Sequence, residues 1–306
     1  MTRPGLASGD RGFADLGDLR LRLFEHDSRP SPADGRARGI TLVLLHGAGA
    51  NYLQWPPALR RLPGMRVFAP DLPGHGDSSG QACADTASYA RVIRRLLDKL
   101  DVTKCVVAGY SMGGGIALEL AYQDPEKVVG LGVLGAGERI PIPTDVLKLL
   151  DDKDREAADG VIHAAISIDV GGRTEDGGGD SSNVEGIARR LELIRNASRR
   201  TDPALLAQDL ATSAAFDARP YAGDIRAPTL IVAGEQDMLV PVSVCRALHH
   251  RMTNSELHVL EGAGHMFLWE RTQEVAGLMR RLAGQAHSFA GTQTHLTMDK
   301  VNKTDG

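Results

Sequence analysis

The sequence predicts an α/β fold, with a mostly parallel central sheet, helices on both faces and a helical cap inserted late in the chain. Three observations predict it. Short apolar runs alternate with helix-like runs from residue 40 onward, as in chains that alternate strand and crossover helix. A serine stands between two glycines where one strand-like run meets one helix-like run, in Gly109-Tyr110-Ser111-Met112-Gly113. Finally, the stretch from about residue 136 to about residue 221 is too long for a bare connection inside a compact domain, so it must carry structure of its own.

Taken in order, Leu19 to Phe24 alternates with period two and reads as an antiparallel edge strand with one wet face. Residues 27–39, rich in Pro, Gly, Ser and charge, read as a loop. Ile40 to Leu45 is the first central strand, and Arg66 to Ala69 the next. The run Lys104 to Ala108 is a buried strand, and Ile116 to Ala121 lies on the buried helix that follows it. Further strands fall at Leu131 to Gly135, Thr229 to Ala233 and Leu257 to Leu260. Ligands of such sheets bind at the carboxyl ends of the strands.

These elements divide the chain into a first core part at 1–136, a helical cap at 137–221, a second core part at 222–284 and a polar, disordered tail at 285–306. Helical spacing within the cap recurs at Val146 to Leu150, at Val161 to Ile166 and at Val184 to Ile194. Between the last two lies the glycine-rich run Gly171 to Asp180, read either as a flap at the pocket mouth or as a solvent loop without a catalytic role.

A strand-to-helix reversal as tight as the one at Ser111 forces the central residue into a strained conformation and crowds its neighbours. Glycine is therefore needed on both sides. The turn exposes the hydroxyl and aims the unpaired N–H groups of the next helix at whatever Ser111 attacks. A serine hydroxyl needs a base, and the base needs an orienting group. Asp237, in the loop leaving the strand at 229–233, is the expected carboxylate, and His265, in Gly262-Ala263-Gly264-His265-Met266, the expected base. Glu235 and Glu138 are rival acids. The backbone amides of Ala48 and Met112 are the expected oxyanion donors. His46 is expected to act as a structural hydrogen-bonding residue, and His46, Gly47, Met238 and Met266 are also candidates to line a substrate pocket.

The order serine, aspartate, histidine, together with His46-Gly47-Ala48-Gly49 and Asp71-Leu72-Pro73-Gly74-His75-Gly76-Asp77-Ser78, resembles the α/β-hydrolase fold superfamily in its capped, single-domain branch. In the Asp71 to Ser78 loop, His75 takes a structural reading close to the pocket entrance. The resemblance implies a serine hydrolase of small carboxylic esters, lactones or thioesters that works through an acyl-enzyme. As alternatives after that first reading it admits carbon–carbon bond hydrolases, cofactor-free perhydrolases of the haloperoxidase kind and ligand-sensing receptors of the same fold. Many of the carbon–carbon hydrolases carry a tryptophan directly after the histidine, where this chain has Met266 and a displaced Trp269.

Bulk properties narrow the setting. The chain has 306 residues, 42% of them hydrophobic, enough for one large core with an inserted subdomain. A formal charge of −4 without a dense Lys/Arg cluster argues against a nucleic-acid partner. Its three cysteines, Cys83, Cys105 and Cys245, have neither disulfide-framework nor metal-ligand spacing. No metal and no organic cofactor are expected. The partner expected is a small-molecule substrate, with no membrane contact and a cytoplasmic location; the oligomeric state is not legible.

Overall fold

The computed structural model describes residues 11–30, 39–142, 148 and 202–301, with the side chains of 11 and 293–301 left aside. Eight strands form one sheet: β1 (Arg11–Asp15), β2 (Arg20–Asp27), β3 (Thr41–Leu45), β4 (Arg66–Pro70), β5 (Cys105–Tyr110), β6 (Val128–Leu134), β7 (Thr229–Gly234) and β8 (Ser255–Leu260). Their spatial order is β1-β2-β4-β3-β5-β6-β7-β8. Pairing is antiparallel at β1·β2 and β2·β4 and parallel across the remaining strands.

Every residue of β3, β5, β6 and β7 is buried, which is why these strands read as unbroken apolar runs rather than alternating ones. The helices covering the sheet are α1 (Pro57–Arg60), α2 (Thr86–Lys99), α3 (Met112–Gln123), α4 (Pro203–Ala215), α5 (Val242–Arg251), α6 (Phe267–Glu270) and α7 (Thr272–Val301). α2 shows how the local sequence specifies a surface helix. Asp85 caps it by accepting the Ser88 N–H at 2.6 Å, a bond worth about 1 kcal/mol. Tyr89, Ala90, Ile93, Leu96 and Leu97 then make one buried stripe, while Arg94 and Arg95 lie on the wet face. α3 has no such wet stripe near its start, because Met112 through Leu118 are all buried beneath the sheet and its neighbours.

Three expectations change. β2 is not an edge strand, since β1 pairs outside it with Phe13 opposite Arg22. Its alternation fails as well, because Leu21 to Phe24 are all buried, Leu21 and Leu23 in one core cluster and Phe24 in the other, so both faces of the sheet are covered here. Residues 285–301 are not a disordered tail: α7 continues through them to Val301, with Ala286 fully buried and Phe289 and Ala290 packed on the core. The polar sequence hid this helix because, among the described side chains, Ala286, Phe289 and Ala290 face the core while Gln285, His287 and Ser288 are exposed.

The chain leaves the core beyond Ala136 and returns at Ala218, where the Ala218 N–H donates to the Glu138 carbonyl at 2.8 Å and Arg139 bridges Asp217. Of the insertion between them, residue 148 and α4 with its flanks are described; the helical segments at 161–166 and 184–194, the rest of that at 146–150 and the glycine-rich run at 171–180 lie outside the described residues. No helix among the described residues is long and apolar enough to cross a membrane.

Candidate active site

Ser111 follows β5 directly and caps α3 with φ 55° and ψ −122°. A non-glycine residue there costs about 1–3 kcal/mol, so the surroundings must hold it. They do so through its own N–H, which donates to the Leu134 carbonyl at 2.8 Å, and its carbonyl, which accepts from Gly114 at 2.8 Å. The flanking glycines are sterically compelled. A Cβ on Gly109 would overlap the Gly113 carbonyl, and one on Gly113 would sit 2.6 Å from the His46 carbonyl and nearer still to that of Leu45.

Asp237 lies just beyond β7 and His265 just beyond β8, so adjacent parallel strands deliver them to the same end of the sheet. The two loops are laced together. Gln236 N–H donates to the Ala263 carbonyl at 2.9 Å, and Glu235 accepts the Gly262 N–H at 2.9 Å. Asp237 Oδ2 lies 2.7 Å from His265 Nδ1. Its Oδ1 accepts the Leu239 and Val240 amides at 2.9 and 2.8 Å. Both oxygens being acceptors, Nδ1 carries the proton and Nε2 is left as the basic nitrogen.

The imidazole lies beside Tyr110, the last residue of β5 before the serine. A Cβ on Gly135, the residue after the Ser111-bonded Leu134, would stand 3.4 Å from His265 Cε1. The ring also packs on Tyr110, with centroids 5.2 Å apart, and Tyr110 donates its hydroxyl to the His265 carbonyl. Burial holds the Tyr110 phenol well above its ordinary pKa, so it stays a donor. Ser111 Oγ itself makes no hydrogen bond to His265 among the described residues; such bonds are often long before substrate binds.

On the other side, Ser111 Cβ is 3.1 Å from where a Gly47 side chain would begin, which places the Gly47 to Gly49 loop against the nucleophile position. The Gly47 N–H is taken by Gln54 Oε1 at 2.6 Å and the Gly49 N–H by Asp209 Oδ2 at 2.7 Å. Between them, the Ala48 amide has no acceptor among the described residues. Met112, as the first residue of α3, has an N–H with no intrahelical partner.

The other candidates separate. Glu138 pairs with Arg251 at 2.8 Å, and Glu235 is committed to Gly262; neither meets His265. His46 is fully buried and offers no face to a substrate. Its Nδ1 faces the Gly47 carbonyl at 2.9 Å and its Nε2 accepts the Leu72 N–H at 3.0 Å, which makes it the structural residue that its loop position suggests and removes it from the pocket-lining set. Met266 is also buried, against the Tyr110 hydroxyl, whereas Met238 is 81% exposed beside Asp237. His75, expected near the entrance, is fully buried against Asp209.

Tyr110, Gln54 and Asp209 escaped the sequence reading. Only Tyr110 carried a local signal, as the residue just before the serine. Among the described residues, no group of three or more His, Cys, Asp or Glu side chains could hold a metal ion.

The sequence matches the Alpha/beta hydrolase family over residues 42–278. It is 32% identical over 270 residues to a 2-hydroxy-6-oxononadienedioate/2-hydroxy-6-oxononatrienedioate hydrolase of Pseudomonas putida, covering 83% of this chain and 89% of that one. It is 29% identical over 273 residues to the hydrolase of the same description from Dechloromonas aromatica, covering 84% and 89% of the two. The fold is similar to that of the enol-lactonase from Burkholderia xenovorans LB400, with a TM-score of 0.74 at 20% identity and coverage of 89% and 99%. With the family match spanning most of the chain, and strand order, elbow and loops arranged as described, the protein belongs to the alpha/beta hydrolase family.

Proposed function

We propose that the protein is a serine hydrolase that cleaves the carbon–carbon bond beside the ketone of a 2-hydroxy-6-oxo-dienoate, using Ser111, His265 and Asp237. The observation that carries the chemistry is the 2.7 Å bond from His265 to Asp237 at the strand ends beside the strained Ser111 turn. The substrate class rests on the curated relatives, which are described as hydrolases of such compounds.

In this mechanism, Ser111 Oγ bonds to the ketone carbon while its proton passes to His265 Nε2. The Ala48 and Met112 amides hold the resulting alkoxide. The substrate is attacked as its keto tautomer, in which the 2-hydroxyl proton has moved to C5 and C5 stands beside the enone formed by C3=C4 and C2=O. Collapse of the alkoxide then breaks the bond from the ketone carbon to C5, the electron pair spreads through C3=C4 onto the C2 oxygen, and His265 returns its proton to that dienolate, giving the 2-hydroxydienoate product. Water, deprotonated by the same imidazole, then releases the acyl group from Ser111. The Asp237 carboxylate holds the imidazole in the required tautomer throughout.

Ester or enol-lactone hydrolysis is the second reading, favoured by Met266 in place of a tryptophan after His265. It needs the same serine, base and oxyanion donors but no protonation of carbon. Comparing kcat/KM for 2-hydroxy-6-oxononadienedioate, followed by loss of its dienolate absorbance, with that for p-nitrophenyl acetate separates the two. A preference of about 100-fold or more for the dienoic ketone is expected. A preference for the ester of that size replaces the first reading with the second.

A further inference from the structure

Behind the Ala48 loop lies a fully buried cluster that the proposed reaction does not use directly. Asp209 comes from α4, the helix described on the return from the inserted segment, and its side chain is 0% exposed. Its Oδ2 meets His75 Nε2 at 2.6 Å and accepts the Gly49 N–H at 2.7 Å; its Oδ1 accepts the Tyr89 hydroxyl at 3.1 Å. His75 Nδ1 faces the Pro73 carbonyl at 2.9 Å. Both ring nitrogens of His75 thus point at oxygen acceptors, the arrangement of an imidazolium. Burial by itself disfavours that charge, yet the hydrogen bond and charge of Asp209 leave the His75 pKa above its ordinary 6.5. His46, 4.9 Å away by ring centroids, is held neutral and adds no compensating anion.

The Gly49 bond matters because of where it falls. The peptide unit that carries the Ala48 N–H is held through its Gly47 carbonyl, which faces His46 Nδ1 at 2.9 Å and accepts the Ala50 N–H at 3.3 Å, while Gln54 pins the peptide unit before it and Asp209 the one after it. Gly49 itself has φ 61°, a conformation with little intrinsic preference that an external bond must select. We propose that Asp209, seated by His75, is a positioning residue that aims the Ala48 N–H at the oxyanion and ties this aim to the seating of α4. The proposal rests on the serine-hydrolase reading above. It assigns Asp209 no contact with substrate.

An oxyanion donor acts on the transition state far more than on the bound ground state, so misdirecting it lowers kcat and spares KM. The test uses the full chain, p-nitrophenyl acetate as probe, and Asp209→Ala, Asp209→Asn and His75→Gln, with rates expressed per serine that reacts with diethyl p-nitrophenyl phosphate. Asparagine keeps an acceptor for Gly49 and His75 but loses the charge. Expected is a graded fall in kcat, about 3–10-fold for Asp209→Asn and about 30–100-fold for Asp209→Ala, with KM within about twofold and melting above the assay temperature. His75→Gln should fall beside Asp209→Asn. If Asp209→Ala does not fold, Asp209→Asn and His75→Gln carry the test alone. Wild-type kcat in the folded variants, or a loss confined to KM, overturns the proposal. Ser111→Ala run in parallel keeps the two readings apart, because turnover surviving there refutes the serine mechanism whatever the Asp209 variants do.

Discussion

The Nδ1–H of His265 donates to Asp237 Oδ2 across 2.7 Å, and the other Asp237 oxygen is filled by two backbone amides. The carboxylate is therefore an acceptor on every side, and the imidazole has one permitted tautomer. Asp237→Asn should break this without moving the loop. Its carbonyl can take the Leu239 and Val240 amides, which turns the NH₂ toward His265 and forces the proton onto Nε2. A loss of about 10⁴-fold in kcat with little change in melting temperature is expected, read by steady-state kinetics and calorimetry.

The elbow supplies a second prediction, in stability rather than rate. In Gly113→Ala the added methyl would press on the Leu45 and His46 carbonyls, which belong to β3 and its following loop and have no room to retreat. Urea denaturation should register a destabilisation of at least about 3 kcal/mol, or the variant should fail to fold. Wild-type stability would mean that α3 sits farther from β3 than described.

His46 gives a pH dependence. Burial first, and then the charge of His75, hold its pKa well below 6.5, so the unfolded chain binds a proton in acid that the folded chain refuses. Its contribution to stability is complete above 6.5 and declines as the pH falls. His75 has the opposite sign: its folded pKa lies above 6.5, so its contribution is complete below 6.5 and is lost as the pH rises through the folded value. Replacing His46 with asparagine should cost stability near neutrality but flatten the acid slope, by up to about 1.4 kcal/mol per pH unit. Chemical denaturation at several pH values checks this. Parallel slopes for the two proteins would contradict the neutral assignment.

The parts of this site that were legible in the sequence are those whose geometry is local. Gly109 and Gly113 flank Ser111 because the turn itself demands it, and the loops at 234–241 and 262–266 each follow their own strand directly. What stayed hidden depends on distant chain segments. Asp209 bonds Gly49 across 160 positions, and nothing around it in α4 differs from an ordinary helical aspartate. Glu138 seemed a rival acid until Arg251, from α5, was seen to occupy it. β1 is too short and too polar to register as a strand before its partner is known, and the burial of Leu21 to Phe24 on both faces depends on core clusters built from distant residues. The choice between carbon–carbon and ester chemistry is not written in the elbow, since both need the same serine, base and amides.

The most direct measurement is turnover of 2-hydroxy-6-oxononadienedioate by Ser111→Ala, which removes one oxygen from the end of β5 and leaves the His265–Asp237 pair untouched. The variant should fold and melt as the parent does while kcat falls by about 10⁶-fold. A folded Ser111→Ala protein that turns over at a rate near that of the parent would contradict the nucleophile assignment and the mechanism built on it.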